Sequence, residues 1–219
     1  MKVEDFISRF RAAVFDDADP PFWSGEEIVS YLNEAVQEAC ERAKLIEDRS
    51  MALTLAPGQD TYDLHPSVFE IKRLAFRGRP LDETSVEALD AECPGWEART
   101  GLPRYFLFEQ ASGIQPPKVR LVPTPTVAGA ASITVYRGAL KPLSADIDTA
   151  RPEIPERFHE RLMDWVMHRA YLKQDADTFD PNKAAVSLGL FVQAFGDRPD
   201  ANVQRKQRDK RPPVVRMNF

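Results

Sequence analysis

The clustered carboxylates are the residues of this sequence with the clearest potential for chemistry. The segment "DDADP" places Asp16, Asp17 and Asp19 within four residues, and hard oxygen donors at that spacing can bind a divalent cation. The segment lacks the Asp/Asn-Gly alternation and the distal Glu of a calcium loop, which favours a solvated turn. The similar segment "DADTFDP" at 175–181 is interpreted as helix-capping and loop chemistry. Neither cluster predicts a metal centre.

Other catalytic and cofactor motifs are missing from the sequence. No two glycines form a G-x-G or a G-x-x-x-x-G-K-[ST] pattern, and no G-x-S-x-G segment occurs. Three scattered histidines and two distant cysteines, Cys40 and Cys93, do not match the spacing of a zinc site. We interpret His159 and His168 as surface or helix-end residues and both cysteines as reduced thiols. We therefore expect no cofactor, although a triad of distant residues cannot be recognised in this way.

The net charge of −5 is unevenly distributed over the 219 residues. Residues 197–219 include seven basic and three acidic residues and thus carry a formal charge of +4, which leaves −9 for residues 1–196. This acidic body argues against binding nucleic acid over the whole surface. No window approaches the ~18 apolar residues of a membrane span, so we expect an intracellular protein without a membrane partner.

Helical periodicity marks both ends of the chain. In "VEDFISRFRAAV" and in the longer segment after Ser24, apolar residues recur at helical spacing, and Ser24 with Glu27 predicts a capping box. Pro155 can begin a third helix, and Asp180-Pro181 predicts the start of a fourth that Gly196 ends. The apolar positions predicted for the inner faces of these four helices are Val3, Phe6, Ile7, Phe10, Val14; Ile28, Leu32, Ala35, Ala39, Ala43, Ile46; Phe158, Leu162, Trp165, Val166 and Tyr171 or Leu172; and Val186, Leu190, Phe191, Phe195.

The middle of the chain has the alternating pattern of β-strands. Apolar residues alternate in 51–55, 62–64 and 69–76, Thr84 and Glu87 predict a capped short helix, and "PRYFLFE", "KVRLVPTP" and "ASITVYRG" predict an antiparallel meander. We expect five to seven strands. Trp23 and Trp96 lie in loops rich in Pro and Gly, where local packing is favoured over a role at an interface.

These elements predict an α+β fold with three parts. Residues 1–49 and 150–196 are expected to form one helical bundle from the N- and C-terminal helices. Residues 50–149 are expected to form a central antiparallel β-rich module with one short inserted helix. Residues 197–219 are expected to form an extended C-terminal arm.

The order of several segments resembles a known family. They are "VEDFISRFRAAVFDD", "WSGEEIVSYLNEA", "GQDTYDL", "GLPRYF", "VRLVPTP", "ITVYR" and "IPERFHERL". Together they resemble the head-to-tail adaptor, or connector, proteins of tailed bacteriophages, especially the short-tailed ones, over roughly residues 3–196. Their order and spacing carry the resemblance, since each segment alone is only a cap, a turn or a strand.

The resemblance implies a structural virion protein at the head–tail junction, synthesised in the host cytoplasm. Such proteins form a ring, typically of twelve copies, that joins the portal protein to the tail tube or nozzle. DNA passes through the ring without sequence-specific binding. The family implies no catalytic residue and no cofactor.

The C-terminal segment has a basic stem and an apolar tip. The stem, "RKQRDKRPP" at 205–213, is too hydrophilic to fold alone. The tip, "VVRMNF" at 214–219, suits a partner groove or an exposed strand edge. The resemblance implies that such extensions reach along the portal or a neighbouring subunit; a solubilising tail is the alternative. The candidate partner-binding residues are Arg205, Lys206, Arg208, Lys210, Arg211, Val214, Val215, Met217 and Phe219.

Two other function classes stay open from the sequence. A DNA-binding regulatory protein could use the basic tail on phosphates, although no helix of the body carries a cluster of Arg and Lys suited to a groove of DNA. A virion-associated hydrolase could use carboxylates among Asp16, Asp17, Glu26 and Glu27.

Overall fold

The computed structural model describes residues 1–175 and 178–199 and confirms an α+β fold. The chain divides into two compact units. Residues 1–46 and 137–198 form the first, which we call the helical unit, and residues 47–136 belong to the second, the strand unit. The five α-helices of the described residues are α1 (Val3–Val14), α2 (Gly25–Ala43), α3 (Val86–Glu92), α4 (His159–Tyr171) and α5 (Pro181–Phe195).

The first two helices begin and pack largely as their sequences predict. Val3, Phe6 and Phe10 of α1 are buried, and α2 begins after Ser24, whose Oγ accepts a hydrogen bond from the Glu27 N–H at 3.1 Å. The carboxylate of Glu27 accepts instead from the Tyr31 hydroxyl at 3.0 Å, so the predicted capping box is only half formed. Helix α2 buries four of its predicted seam residues and ends earlier than predicted: Ala43 is exposed and Ile46 starts the first strand.

The C-terminal helices differ more from the prediction. A short 3-10 turn, Glu156–Phe158, precedes α4, so this helix begins at His159 and not at Pro155. Helix α5 does begin with the predicted cap, since the Asp180 carboxylate accepts from the Asn182 and Lys183 N–H groups at 3.1 and 3.0 Å.

The inner face predicted for α5 is wrong in part. Phe191 and Phe195 are buried, but Val186 and Leu190 are 66% and 43% exposed. The buried residues are Ala184, Ser187, Phe191 and Phe195. This stripe passes through Ser187, a polar residue that a search for apolar periodicity omits, and it turns Val186 and Leu190 toward solvent.

Helices of this unit contact one another mainly through α4. Trp165 of α4 packs on Phe191 of α5 with ring centroids 5.0 Å apart. Lys173, just after α4, donates to Glu27 of α2 at 2.9 Å. The arrangement of all four long helices as one bundle stays a prediction.

The strand unit contains a curled sheet of mixed direction. Its hydrogen-bonded order is β1-β10-β4-β5-β7-β8-β3, with β2 also paired to β10, and a separate parallel pair joins β6 to β9. The described residues form ten strands, four of which have only two or three residues: β1 (Ile46–Asp48), β2 (Ala52–Leu55), β3 (Thr61–Asp63), β4 (Val68–Phe76), β5 (Arg79–Glu83), β6 (Thr100–Gly101), β7 (Tyr105–Glu109), β8 (Lys118–Val122), β9 (Thr124–Pro125) and β10 (Gly129–Arg137).

The predicted antiparallel meander of three strands is wrong in part, and the module is not antiparallel throughout. Strands β7 and β8 form an antiparallel hairpin with Phe106 opposite Leu121, but β10 pairs with β2, placing Ala131 opposite Leu53, and with β4. Strands β5 and β7 run parallel. A parallel pair needs a crossover connection, and α3 with the following 3-10 turn supplies it. The cap of α3 is Ser85, whose Oγ accepts from the Ala88 N–H, and not Thr84.

Candidate functional site

The partner-binding residues predicted between positions 205 and 219 lie outside the described residues. The candidate surfaces below therefore come from the described part of the two units. No described helix has the length and apolar character needed to cross a bilayer. Within residues 1–175 and 178–199, no three His, Cys, Asp or Glu side chains are grouped as metal ligands would be.

The first carboxylate cluster shapes a loop. Asp16 is only 4% exposed and accepts hydrogen bonds from the Phe22 and Trp23 N–H groups at 2.9 and 3.3 Å. The interpretation of a solvated turn is thus wrong for Asp16, although Asp17 and Asp19 are exposed. Asp16 closes the connection between α1 and α2, because it satisfies two backbone donors that the prolines of this loop leave without strand or helix partners.

The two loop tryptophans pack locally, as favoured from the sequence. Trp23 is 4% exposed and meets Phe10 edge to face with centroids 5.3 Å apart. Trp96 is equally buried and donates its indole N–H to Asp90 at 2.8 Å. Their rings fill the interiors of their own units.

The histidines of α4 and the cysteines have structural environments. His159 is buried with Nε2 2.9 Å from the Ile154 carbonyl, and burial lowers its pKa. His168 Nδ1 lies 2.9 Å from the Ala184 carbonyl and links α4 to α5. Cys40 and Cys93 are free thiols; burial raises the pKa of Cys40 to about 12, which makes its thiol unreactive at neutral pH.

A groove in the helical unit is the candidate binding surface. It has a cavity volume of about 610 Å³ and is half open to solvent, a volume in the range of binding sites for small ligands. Asn33, Val36 and Gln37 of α2 form its floor. Its wall is the connection between β10 and the 3-10 turn before α4, with the lining residues Ala139, Leu140, Lys141, Pro142, Leu143, Ile147, Ala150, Arg151, Pro152 and Glu153.

Side-chain hydrogen bonds hold the wall of the groove at two points. Asn33 donates through Nδ2 to the Leu143 carbonyl at 2.9 Å and accepts from the Leu143 N–H at 2.8 Å. Glu153 accepts from the Leu140 N–H at 2.9 Å and from Arg137 at 2.6 Å. Because these bonds are made within the unit, the groove is preformed rather than created by a ligand.

The chain passes very close to α2 at Gly138, just before the wall of the groove begins. A β-carbon at Gly138 would come within 2.5 Å of Gln37 Oε1, so only glycine allows the chain to pass here without displacing that side chain. Leu140 and Ile147 at the rim are 48% and 55% exposed. The groove thus presents apolar side chains to solvent on a fixed backbone.

Sequence reasoning missed this groove. The segment from 140 to 155 is rich in Pro, Asp and Ser, a composition that predicts a linker. The available signal was the recurrence of Leu140, Leu143 and Ile147 among those polar residues, since a solvated linker has little reason to contain large apolar side chains.

Other large apolar side chains are exposed outside the groove, among them Val186, Leu190, Ile114 and Phe15. Val186 and Leu190 form a pair one helical turn apart on the outer side of α5. Ile114 is fully exposed in the connection between β7 and β8. Phe15 is 85% exposed and has a positive φ of 56° at the end of α1, a conformation that a bulky residue rarely adopts.

The four carboxylates considered for a hydrolase do not form one catalytic group in the structure. Asp16 and Glu27 serve backbone and side-chain donors of the helical unit. Glu26 lies in a shallow depression beside Asn33, while Asp17 is exposed. The described residues thus form surfaces that could bind a partner, and these four carboxylates do not converge on one point.

Comparison with known proteins gives one family. The family model of the SU10 adaptor protein matches residues 1–217, which is nearly the whole chain and includes both units. A search of curated proteins gave no match. The resemblance to head-to-tail adaptors is therefore confirmed, and this chain belongs to the SU10 adaptor family of structural phage proteins.

Proposed function

We propose that the protein forms a ring, of twelve copies as is typical of such adaptors, that joins the portal to the tail tube or nozzle and lets DNA pass. The observation that carries this proposal is the family match over residues 1–217. A role of this kind needs surfaces for partners and no catalysis. The virion is then the site of action, at the junction of head and tail.

The acidic character of residues 1–196 supports a channel through which DNA passes without being bound. Residues 1–196 carry a formal charge of −9. Acidic walls repel phosphates and lower non-specific affinity, which suits a channel through which DNA must slide. A DNA-binding regulator would need a basic face, and the described helices offer no such cluster.

The separate exposed apolar positions support a ring over a closed dimer. Subunits in a ring meet head to tail, so each uses two different surfaces. The outer side of α5, with Val186 and Leu190, and the β7–β8 connection, with Ile114, lie in different units and provide two such surfaces.

The C-terminal segment is proposed to contact the portal or a neighbouring subunit. Its apolar tip would then set the lifetime of the complex, and its basic stem would steer encounter with an acidic partner. Binding to immobilised portal protein at two salt concentrations tests this proposal. The full chain is compared with a variant lacking 198–219.

Two further variants separate the tip from the stem. Val215→Ala with Phe219→Ala is expected to speed dissociation, whereas neutralising the four clustered cations is expected to slow association and to flatten its salt dependence; these are Lys206, Arg208, Lys210 and Arg211. Val86→Ala, at an exposed position of α3 that has no part in the proposed contacts, controls for a general loss of apolar surface. Unchanged rates for the truncated chain would show that the segment does not bind the portal.

A further inference from the structure

We propose that, before assembly, the groove of the helical unit holds the C-terminal tip of the same chain, residues 214–219. The inference goes beyond the proposed ring and does not depend on it. It joins a preformed apolar groove to an apolar segment of the same protein. The described end of the chain lies beside that groove.

The chain leaves the described region along α2. Arg42 donates to the Gly196 carbonyl at 3.3 Å, and Arg198 pairs with Glu38 and Glu41 at 3.5 and 3.7 Å. Glu41 in turn accepts a hydrogen bond from Gln37 at 2.8 Å. Gln37 belongs to the floor of the groove. The exit of the chain and the edge of the groove are thus about one helical turn apart.

The remaining chain is long enough to return to the groove. Fourteen residues separate Pro199 from Val214, and a flexible chain of this length has a root-mean-square span of about 20 Å. Its fully extended reach is about 50 Å. A connection of this kind gives an effective concentration in the millimolar range, so even a weak contact between tip and groove would be occupied.

The chemistry of the tip matches the groove and its surroundings. Four of the last six residues are apolar, namely Val214, Val215, Met217 and Phe219. The floor and rim offer Val36, Leu140 and Ile147 to such side chains. The basic stem that precedes the tip in the sequence is opposite in charge to Glu38 and Glu41 of α2, which pair with Arg198.

Preorganisation favours this docking. The bonds from Asn33 to Leu143 and from Glu153 to Leu140 fix the wall in advance, so binding has to order only the tip. A docked tip would be hidden from other apolar surfaces. A partner that needs the tip must then displace it from the groove.

Site-specific photo-crosslinking of the full chain tests the proposal. Phe219 is replaced by p-benzoylphenylalanine, the purified protein is irradiated, and the crosslinked peptides are identified by mass spectrometry. We expect crosslinks in the monomer band to 33–37 or 139–153, with a yield independent of protein concentration. Ile147→Asp is expected to lower that yield at least fivefold, because it places a charge at the exposed rim.

A matched variant controls for the added charge. Val186→Asp changes an equally apolar and exposed position on α5 of the same unit and is expected to leave the yield unchanged. Circular dichroism verifies that both variants fold. Crosslinks to other segments, crosslinks confined to a dimer band, or equal yields for the two variants would each overturn the proposal. None of these measurements depends on binding to the portal. A negative result would therefore contradict docking of the tip in the groove without contradicting the proposed adaptor function.

Discussion

Replacing Phe191 with Ala tests how α5 packs in the helical unit. Phe191 is fully buried, its ring lies 5.0 Å from that of Trp165 and 4.7 Å from that of Phe195, and the Arg42 guanidinium is 5.2 Å from its centroid. Truncating a buried Phe to Ala costs about 3–5 kcal/mol of unfolding free energy. We expect the upper part of this range, because two ring contacts and one cation–π contact are lost together.

Leu190 is the matched control. It is adjacent to Phe191, has a larger exposed fraction of 43%, and belongs to the inner face that the sequence predicts. Leu190→Ala is expected to cost about 1 kcal/mol or less, since surface changes usually have small effects. Leu and Ala have similar helix propensities, so the two variants differ mainly in what they remove from the core.

Urea unfolding followed by far-ultraviolet circular dichroism measures both changes. The midpoint and slope of each curve give the free energy of unfolding in water. A loss for Leu190→Ala as large as that for Phe191→Ala would refute the orientation of α5. It would show that the helix packs by the face that apolar periodicity alone indicates.

Three further outcomes follow from the same unit. Leu32→Asp places an unpaired charge at a fully buried position of α2 and should cost more than about 4 kcal/mol or prevent folding, whereas Ser30→Asp, at an exposed position, should cost about 0.5 kcal/mol or less in the same urea assay. Asn33→Ala removes both bonds to Leu143 and should lower stability by about 1–3 kcal/mol, with faster hydrogen exchange at the Leu143 amide; unchanged exchange would contradict its role as a clamp. Burial lowers the pKa of His159 below its ordinary value of 6.5, so the unfolded chain binds the proton more tightly than the folded chain does. The stability contributed by neutral His159 is therefore complete above pH 6.5 and is lost as the pH falls through the lower pKa of the folded state. His159→Gln should flatten this part of the curve of unfolding free energy against pH.

Elements with local signals could be predicted from the sequence. Ser24 and Asp180-Pro181 fix helix starts through caps and backbone restrictions that need no distant partner. The β7–β8 hairpin is likewise formed from neighbouring segments. These are the parts of the fold in which sequence and structure agree.

Elements fixed by distant partners could not be predicted. Strand β10 pairs with β2 and β4, and its alternating pattern is equally compatible with pairing to β8. The buried face of α5 includes Ser187, whose small side chain permits close packing although its hydroxyl is polar. Periodicity reports which residues can be buried but not which neighbours bury them.

The candidate groove shows the same limit. Asn33 of the groove binds the backbone of a distant segment, and such bonds leave no spacing signature in the sequence. The wall of the groove is irregular chain, so neither the helical nor the strand period applies to it. Its apolar residues were visible, but their position beside α2 was not.

The most direct test of the central claim is electron cryo-microscopy of the protein mixed with the portal protein of the same phage. The account predicts one continuous ring of this α+β fold on a single face of the portal, with an open channel along the axis. Portal particles without added density, at protein concentrations well above those used for assembly, would contradict the assignment of this chain as the adaptor between portal and tail.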